Sequence, residues 1–212
     1  MERFYLLKAF KEMRLRVIGG DLRGKRLYTI PGKIIRPTAD RLRESIFNIL
    51  TVHVKGRIVL DLFAGTGALG IEALSRKAVF STFIDKHTEA ISVINRNISN
   101  CGLEDRARII KWDAIRNLKC IQSIHPAFNL VFMDPPYNEN LIRPVLFNLY
   151  RNNCLEKGAL IIVEHSLLEP IPNDLQEFTI ADQRRYGKTF VSFLDYQSSF
   201  NHCNALPVER NN

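Results

Sequence analysis

The feature that most constrains the fold is an apolar run that ends in a glycine-rich turn. Residues 58–63 read Ile-Val-Leu-Asp-Leu-Phe, which is typical of a buried strand, and residues 64–70 read Ala-Gly-Thr-Gly-Ala-Leu-Gly. A helical pattern begins directly afterwards at Ile71. A strand, a tight glycine turn and a helix N-terminus in this order suit a nucleotide-like cofactor, because backbone N–H groups and the helix dipole favour its polar groups. The pattern therefore predicts an α/β sheet with a cofactor at the carboxyl end of the first strand.

Four acids, Asp61, Asp85, Asp113 and Asp134, lie at or near the ends of four successive predicted strands. Each acid by itself would suit a helix cap or a solvated loop. In a parallel sheet, however, the carboxyl ends of the strands meet along one rim, so the four carboxylates should line a single site. Asp85 follows the glycine turn by about 20 residues, the spacing of an acid that binds ribose hydroxyls. NAD and S-adenosylmethionine both have such a ribose, and the positions of Asp61 and Asp113 favour the methyl donor.

The sequence Asp134-Pro135-Pro136-Tyr137 closes the apolar run of residues 128–133. The two prolines fix the backbone and remove two N–H donors, which leaves a carboxylate, carbonyl acceptors and a flat ring next to one another. This arrangement suits a planar amine. A plain strand stop followed by a helix cap would explain the same residues, but not the cofactor turn beside them.

Several motifs together resemble the bacterial 16S rRNA guanine-N2 methyltransferase family of the RsmD type. The similarity runs from Met13 to Tyr196 and rests on the glycine turn, the acids, the Asp-Pro-Pro-Tyr sequence and further segments. These segments are residues 13–20 (MRLRVIGG), 23–25 (RGK), 36–44 (RPTADRLRE) and 186–189 (YGKT). The resemblance implies a Rossmann-like, seven-stranded class I methyltransferase fold, with a mostly parallel sheet and an antiparallel last strand. An N-terminal basic β-hairpin and a helix would precede it.

The resemblance also implies the site residues and the reaction. The cofactor would be S-adenosyl-L-methionine, and the methyl group would go to the exocyclic N2 of the guanine conventionally numbered 966 in 16S rRNA. Tyr137 stands where the family often has Phe, and Asp85 stands where it often has Glu. The expected catalytic residues are Asp134, Pro135, Pro136 and Tyr137. The expected cofactor-binding residues are Asp61, Ala64, Gly65, Thr66, Gly67, Asp85, Lys86, Asp113 and Ala114.

Positive charge is concentrated at the start of the chain. Residues 1–50 hold twelve Lys or Arg against five Asp or Glu, whereas the remainder holds 18 against 17. A local basic segment beside a catalytic domain is suited to neutralising phosphates, although a solvated charged face has the same composition. The pattern predicts a basic hairpin over the active rim and a helix whose arginines face outward. The candidate RNA-binding residues are Arg16, Arg23, Lys25, Arg26, Arg36, Arg41, Arg43, Tyr186 and Lys188.

We expect one catalytic domain over residues 37–198, preceded by a mobile extension (1–12) and the basic hairpin (13–36), and followed by a polar tail (199–212). No segment has the apolar core of a signal peptide or a membrane span, which favours a cytoplasmic protein. The four scattered cysteines predict reduced thiols, and neither they nor the five histidines have metal-ligand spacing. Neither a metal nor a partner subunit is expected.

Three rival functions stay open from the residues. A DNA adenine-N6 methyltransferase also uses Asp-Pro-Pro-Tyr, but it typically needs a separate target-recognition region. A protein glutamine methyltransferase would favour Asn before Pro-Pro-Tyr and would not need the basic start. A non-enzymatic RNA-binding module would explain the charge alone. If the substrate is rRNA, the sequence does not decide between free 16S rRNA, an assembly intermediate and the complete small ribosomal subunit.

Overall fold

The computed structural model describes residues 15–31, 37–122 and 127–197, with residues 37–39 described by their backbone only. The predicted extension 1–12, Arg36 and the polar tail 199–212 lie outside the described residues.

The chain alternates strands and helices, as the sequence pattern predicts. The helices are α1 (Pro37–Leu50), α2 (Ala68–Ser75), α3 (Thr88–Cys101) and α4 (Ile142–Arg151). The strands are β1 (Ile58–Leu62), β2 (Phe80–Asp85), β3 (Ala107–Lys111), β4 (Phe128–Met133), β5 (Leu155–Ser166), β6 (Phe178–Tyr186) and β7 (Thr189–Tyr196).

The strands form one seven-stranded sheet in the order β3-β2-β1-β4-β5-β7-β6. The pairs among β1 to β5 are parallel, whereas β7 runs antiparallel to both β5 and β6. The predicted Rossmann-like fold with a mostly parallel sheet and an antiparallel last strand is therefore confirmed. Because Thr189 pairs with Ser166, the turn between β6 and β7 lies at the carboxyl ends of the parallel strands.

Two apolar layers hold the sheet, one on each face. Successive strand residues point to opposite faces, so Val59 joins one layer and Leu60 joins the other. The first layer contains apolar residues of α1, α2 and α3, and the second contains those of α4. Phe47 of α1 lies against Phe132 of β4, with 5.5 Å between ring centroids. This layering leaves the carboxyl ends of β1 to β5 as the edge where loops can form a site.

The N-terminal segment, residues 15–31, forms a shorter hairpin than the sequence pattern suggests. Its two arms share a single antiparallel bridge, Arg16 with Arg26. On the turn side of that bridge the N–H of Val17 still donates to the carbonyl of Lys25 at 2.9 Å. The turn also bonds to α2, because Glu72 accepts the N–H groups of Ile18 (2.7 Å) and Gly19 (2.8 Å). These contacts attach the turn to α2.

The position of this turn corrects the expectation that it covers the active rim. The backbone N–H of Asp21 donates to the carbonyl of Ser75, and the Asp21 carboxylate pairs with Lys77 at 2.9 Å. Ser75 is the last residue of α2, which starts at the rim and runs back along the strands. The turn therefore lies at the opposite edge of the sheet, where β2 begins.

Other predictions concern the chemistry of single residues. Among the described residues, Cys101, Cys120 and Cys154 are free thiols. In the described part of the chain, no helix combines the length and apolar character needed to cross a membrane. Among the same residues, no cluster of three His, Cys, Asp or Glu side chains is arranged to hold a metal ion.

Candidate active site

The carboxyl ends of the parallel strands bring the predicted acids to one edge in a defined order. Strand order places Asp113 first, followed by Asp85, Asp61 and Asp134. Leu62, next to Asp61, pairs with Ile84 on one side and with Met133 on the other. The turn after β1 is therefore central, with two acids on one side and Asp-Pro-Pro-Tyr on the other.

The glycine turn adopts a backbone that side chains would disfavour. Gly65 has φ of 57° and Gly67 has φ of 76°, both in the left-handed region. Gly70 serves a different purpose, because a Cβ there would come within 2.3 Å of the Phe83 ring. The first two glycines shape the turn, and the third lets α2 pack against the sheet.

Asp61 stabilises the start of α2 from inside β1. Its Oδ2 accepts the backbone N–H of Gly70 at 2.9 Å, and the residue is 1% exposed. Burial raises the pKa of Asp61 to about 8; the Gly70 hydrogen bond opposes this rise, and the nearby Asp85 adds to it. Asp61 thus holds the start of α2 against the end of β1.

Asp85 joins the glycine turn to the loop after β2. Its Oδ2 accepts the N–H of Gly65, and its Oδ1 accepts the N–H of His87, both at 2.9 Å. Each carboxylate oxygen has further lone pairs, so the same side chain can also accept ribose hydroxyls. Lys86, between these contacts, is exposed.

A cavity of about 470 Å³ lies beside Asp113. Asp113 accepts the N–H of Ile115 at 3.1 Å, and Ala114 is buried behind it. The Trp112 side chain is partly exposed here and donates from Nε1 to the carbonyl of Asn117. The cavity is lined by Lys86, Lys111, Trp112, Asp113, Arg116 and Asn117. An aromatic face beside a carboxylate suits a planar ring that carries an amine, such as an adenine.

The Asp-Pro-Pro-Tyr sequence projects from the end of β4, with Pro135 buried and Asp134 and Pro136 exposed. Tyr137 extends towards the neighbouring strands, where its hydroxyl donates to Glu164 Oε1 and lies 3.3 Å from Thr189 Oγ1. Burial and the adjacent Glu164 carboxylate raise the pKa of Tyr137, so the hydroxyl stays protonated at neutral pH. The hydroxyl, which a Phe would lack, fixes the position of the ring.

Three polar residues that contribute to this region were not among the candidates. Glu169 accepts the N–H of Asn138 at 2.7 Å and that of Leu141 at 3.0 Å, so it fixes the loop after Tyr137. The other two residues are Glu164, which accepts the Tyr137 hydroxyl, and Asn97, which bonds the Thr66 carbonyl. Glu164 could have been found by the logic used for the four acids, since it interrupts an apolar strand beside β4. Asn97 and Glu169 gave no comparable signal.

Asn97 links the N-terminal segment to the glycine turn. The side chain is fully buried on α3. Its Nδ2 donates to the carbonyls of Tyr28 (3.0 Å) and Thr66 (2.8 Å), while its Oδ1 accepts the Tyr28 N–H at 2.6 Å. Thr66 is one of the expected cofactor residues, so the segment and the turn are held by one amide.

The candidate RNA-binding residues fall into separate places. Arg23 and Lys25 lie on the turn of residues 18–25, at the edge opposite the rim. Arg16 and Arg26 form the β-bridge of the N-terminal segment. All four side chains are exposed. Arg41 is exposed on α1, and the turn of Tyr186 and Lys188 lies at the rim. The structure therefore does not bring these residues together on one surface.

Arg43 corrects the expectation that the α1 arginines face outward. It is only 6% exposed, and its Nη2 donates to the carbonyl of Arg16 at 2.5 Å and to Asp40 Oδ1 at 3.3 Å. Burial lowers the pKa of Arg43, although Asp40 opposes the shift. The spacing explains the error, since positions 43, 46, 47 and 50 share one helical stripe. Arg43 attaches the N-terminal segment and is not available to RNA.

Comparison with known proteins agrees with this geometry. A family model described as conserved hypothetical protein 95 matches residues 15–195. Ribosomal RNA small subunit methyltransferase D of Escherichia coli K12 is 35% identical over 184 residues, which cover 87% of this chain and 90% of that protein. A protein called putative rRNA methyltransferase YlbH, from Bacillus subtilis, is 34% identical over 178 residues, covering 84% and 97%. The chain belongs to this RsmD family.

Solved structures give the same result for the fold. A putative methyltransferase, yhhF from Escherichia coli, superposes with a TM-score of 0.74 at 31% identity, covering 87% of this chain and 99% of that one. Membership of the RsmD family confirms the predicted class I methyltransferase and its cofactor, S-adenosylmethionine. The glycine turn, which a Cβ would strain, and the three acids of β1 to β3 fit that cofactor.

Proposed function

We propose that this RsmD-family protein transfers a methyl group from S-adenosylmethionine to the exocyclic N2 of a guanine in 16S rRNA. The observation that carries the proposal is the position of Tyr137. Its ring extends from the end of β4, and its hydroxyl is held by Glu164 and Thr189 of the next two strands. A planar base can stack on a ring fixed in this way while its amine meets Asp134.

The cofactor would occupy the other side of the rim. Ala64, Gly65, Thr66 and Gly67 would approach its methionine end, and Asp61 would keep their turn in place. Asp85 and Lys86 would contact the ribose, and Asp113 and Ala114 the adenine. When bound, S-adenosylmethionine supplies a methyl group activated by a sulfonium.

The chemistry of the target explains the expected roles of the catalytic residues. The lone pair of the guanine N2 is delocalised into the ring, so the amine is a weak nucleophile. Asp134 and the Pro135 carbonyl would accept its hydrogens and favour pyramidal nitrogen, while Pro136 keeps the backbone rigid and Tyr137 stacks on the base. Asp134 then takes the released proton, directly or through water.

The target base must leave its stack to reach this rim, which favours an irregular or single-stranded segment of RNA. Lys188 and Tyr186 lie at the rim, close to Thr189, and would contact RNA next to the target. Arg16, Arg23, Lys25, Arg26 and Arg41 are exposed elsewhere and would contact phosphates farther away. The relatives named ribosomal RNA small subunit methyltransferase D support 16S rRNA as substrate, and the cytoplasm stays the predicted location.

Labelled methyl transfer tests this function. Unmodified small subunits, free 16S rRNA, DNA and protein would each be incubated with labelled S-adenosylmethionine, and the products would be analysed as nucleosides or amino acids. We expect N2-methylguanosine in rRNA, lost in Asp134→Ala and retained in Glu139→Ala, which removes an exposed acid from the same loop. If the label appeared as N6-methyladenine in DNA, or in protein, the proposal that rRNA is the substrate would be wrong.

A further inference from the structure

Glu164 occupies the strand position next to the catalytic motif. Met133 pairs with Val163 in the parallel register of β4 and β5, so Asp134 and Glu164 follow on neighbouring strands. Neighbouring strands are about 4.8 Å apart. Two carboxylates therefore reach the same small region of the rim from adjacent positions.

The Glu164 carboxylate is held in a defined position. Its Oε1 accepts the hydroxyl hydrogen of Tyr137, and the same hydroxyl lies 3.3 Å from Thr189 Oγ1. Glu164 is only partly exposed, and burial raises its pKa, while the Tyr137 hydrogen bond opposes the rise by favouring the ionised form. A carboxylate has two oxygens and about four acceptor sites, so the Tyr137 bond does not exhaust it.

The chemistry of the base gives this second carboxylate a purpose. On its Watson–Crick edge, guanine presents the N1–H and the N2 amine as neighbouring donors. A base that stacks on Tyr137 and directs its N2 to Asp134 turns either N1 or N3 to this side of the rim, and only N1 carries a hydrogen that a carboxylate can accept. A carboxylate accepts N1–H but repels the N1 lone pair of adenine or 2-aminopurine.

We propose that Glu164 accepts the N1–H of the target guanine and thereby selects guanine over bases whose N1 is an acceptor. Glu164 is then a specificity-determining residue, and Tyr137 positions it through the hydroxyl. The inference rests on the proposed function, because it assumes that guanine N2 is the methylated atom. It assigns to this side chain a role distinct from that of Asp134, which faces the reacting amine.

The test uses 2-aminopurine, which keeps the N2 amine but has an unprotonated N1. The methylated guanine is first mapped in small-subunit RNA with the wild-type protein, and RNA is then prepared with 2-aminopurine at that single position. We expect the wild-type kcat/KM for guanine RNA to exceed that for 2-aminopurine RNA by about 30-fold or more. In Glu164→Gln the ratio should fall below about 3, because the amide Nε2 can donate to an unprotonated N1.

Three controls separate this role from a structural one. Glu139→Gln, an exposed acid of the neighbouring loop, should keep the wild-type ratio. Affinity for S-adenosylmethionine should be unchanged in Glu164→Gln, which also reports that the variant is folded. If the glutamine variant does not fold, Glu164→Asp decides: it should keep the preference for guanine at a lower kcat/KM.

The outcomes distinguish the two proposals. If the wild-type protein forms no N2-methylguanosine in any RNA, the proposed function fails. If it methylates guanine but also accepts 2-aminopurine equally, or if Glu164→Gln keeps the full preference, only the role of Glu164 is overturned.

Discussion

The two halves of the rim hold their polar groups in different ways. In the half at the ends of β1 to β3, where we propose that the cofactor binds, Asp61, Asp85 and Asp113 all accept backbone N–H groups; we call it the cofactor half. In the half at β4, β5 and β7, where we propose that the target base binds, the bonds of Tyr137 join side chains to one another; we call it the target half. Backbone hydrogen bonds fix the course of the chain, whereas bonds between side chains fix only those side chains.

This difference indicates which substitutions can change the reaction rate without changing the stability of the fold. An acid that accepts two backbone donors contributes to the loop and to the ligand at the same time, so its removal changes both. A side-chain pair at a partly exposed edge can be altered while the loops keep their course. Changes to the three acids of the cofactor half should therefore affect stability and binding together, and changes to the pair of Tyr137 and Glu164 should affect turnover alone.

The largest effect is expected for Asp85→Ala. The substitution removes the acceptor of Gly65 and His87 as well as the expected ribose contact. We expect the affinity for S-adenosylmethionine to fall about 100-fold and the free energy of unfolding to fall by about 2 kcal/mol. Calorimetric titration and urea unfolding measure the two, with the exposed Asp105→Ala as control. Unchanged binding would remove Asp85 from the cofactor site.

Asp61→Asn should change how stability depends on pH. The pKa of Asp61 is raised from 3.8 to about 8, so the folded state binds the proton more tightly than the unfolded state. Its stabilising contribution is therefore complete below about pH 4 and is lost as the pH rises towards 8. Between pH 5.5 and pH 7, wild-type stability should decline by on the order of 2 kcal/mol more than that of Asp61→Asn. The free energy of unfolding of both proteins would be measured with urea at several pH values. If it changed equally with pH in the two proteins, the prediction would be wrong.

Asn97→Ala should loosen the cofactor half from a distance. It removes the amide that bonds Tyr28 and the Thr66 carbonyl, and it leaves those backbone groups without this partner. We expect a loss of about 1 to 2 kcal/mol in unfolding free energy and cofactor affinity reduced about 5-fold. Asn95→Ala is the matched control, because this exposed amide donates to the Ile91 carbonyl of its own helix. Equal effects in both variants would rule out the link through Asn97.

Tyr137→Phe should have the smallest effect. The ring stays, but the bond to Glu164 and the proximity to Thr189 Oγ1 are lost. We expect kcat/KM for methyl transfer to fall about 3-fold to 10-fold, with the unfolding free energy within about 0.5 kcal/mol of wild type and cofactor affinity unchanged. If Tyr137→Phe lowered the unfolding free energy as much as Asp85→Ala, the proposed difference between the two halves would be wrong.

Much of the fold could be predicted because it depends on local patterns. Apolar runs marked the central strands, and the glycines marked the turn that needs left-handed backbone. Arg43 was misplaced because its charge suggested exposure, although its helical spacing matched the buried stripe. The turn near Asp21 was misplaced for another reason: local composition does not say which helix a basic segment will dock against. Glu169 and Asn97 escaped notice because their partners are distant in sequence.

The position of the turn at residues 18–25 sets a length scale for the substrate. It lies at the edge where β2 begins, and β2 has six residues, so about 20 Å separate it from the rim. An RNA that contacts Arg23 there while presenting its base at Tyr137 must extend along the whole side of the domain. The footprint is then that of a folded RNA, and an isolated short oligonucleotide would engage only one end of it.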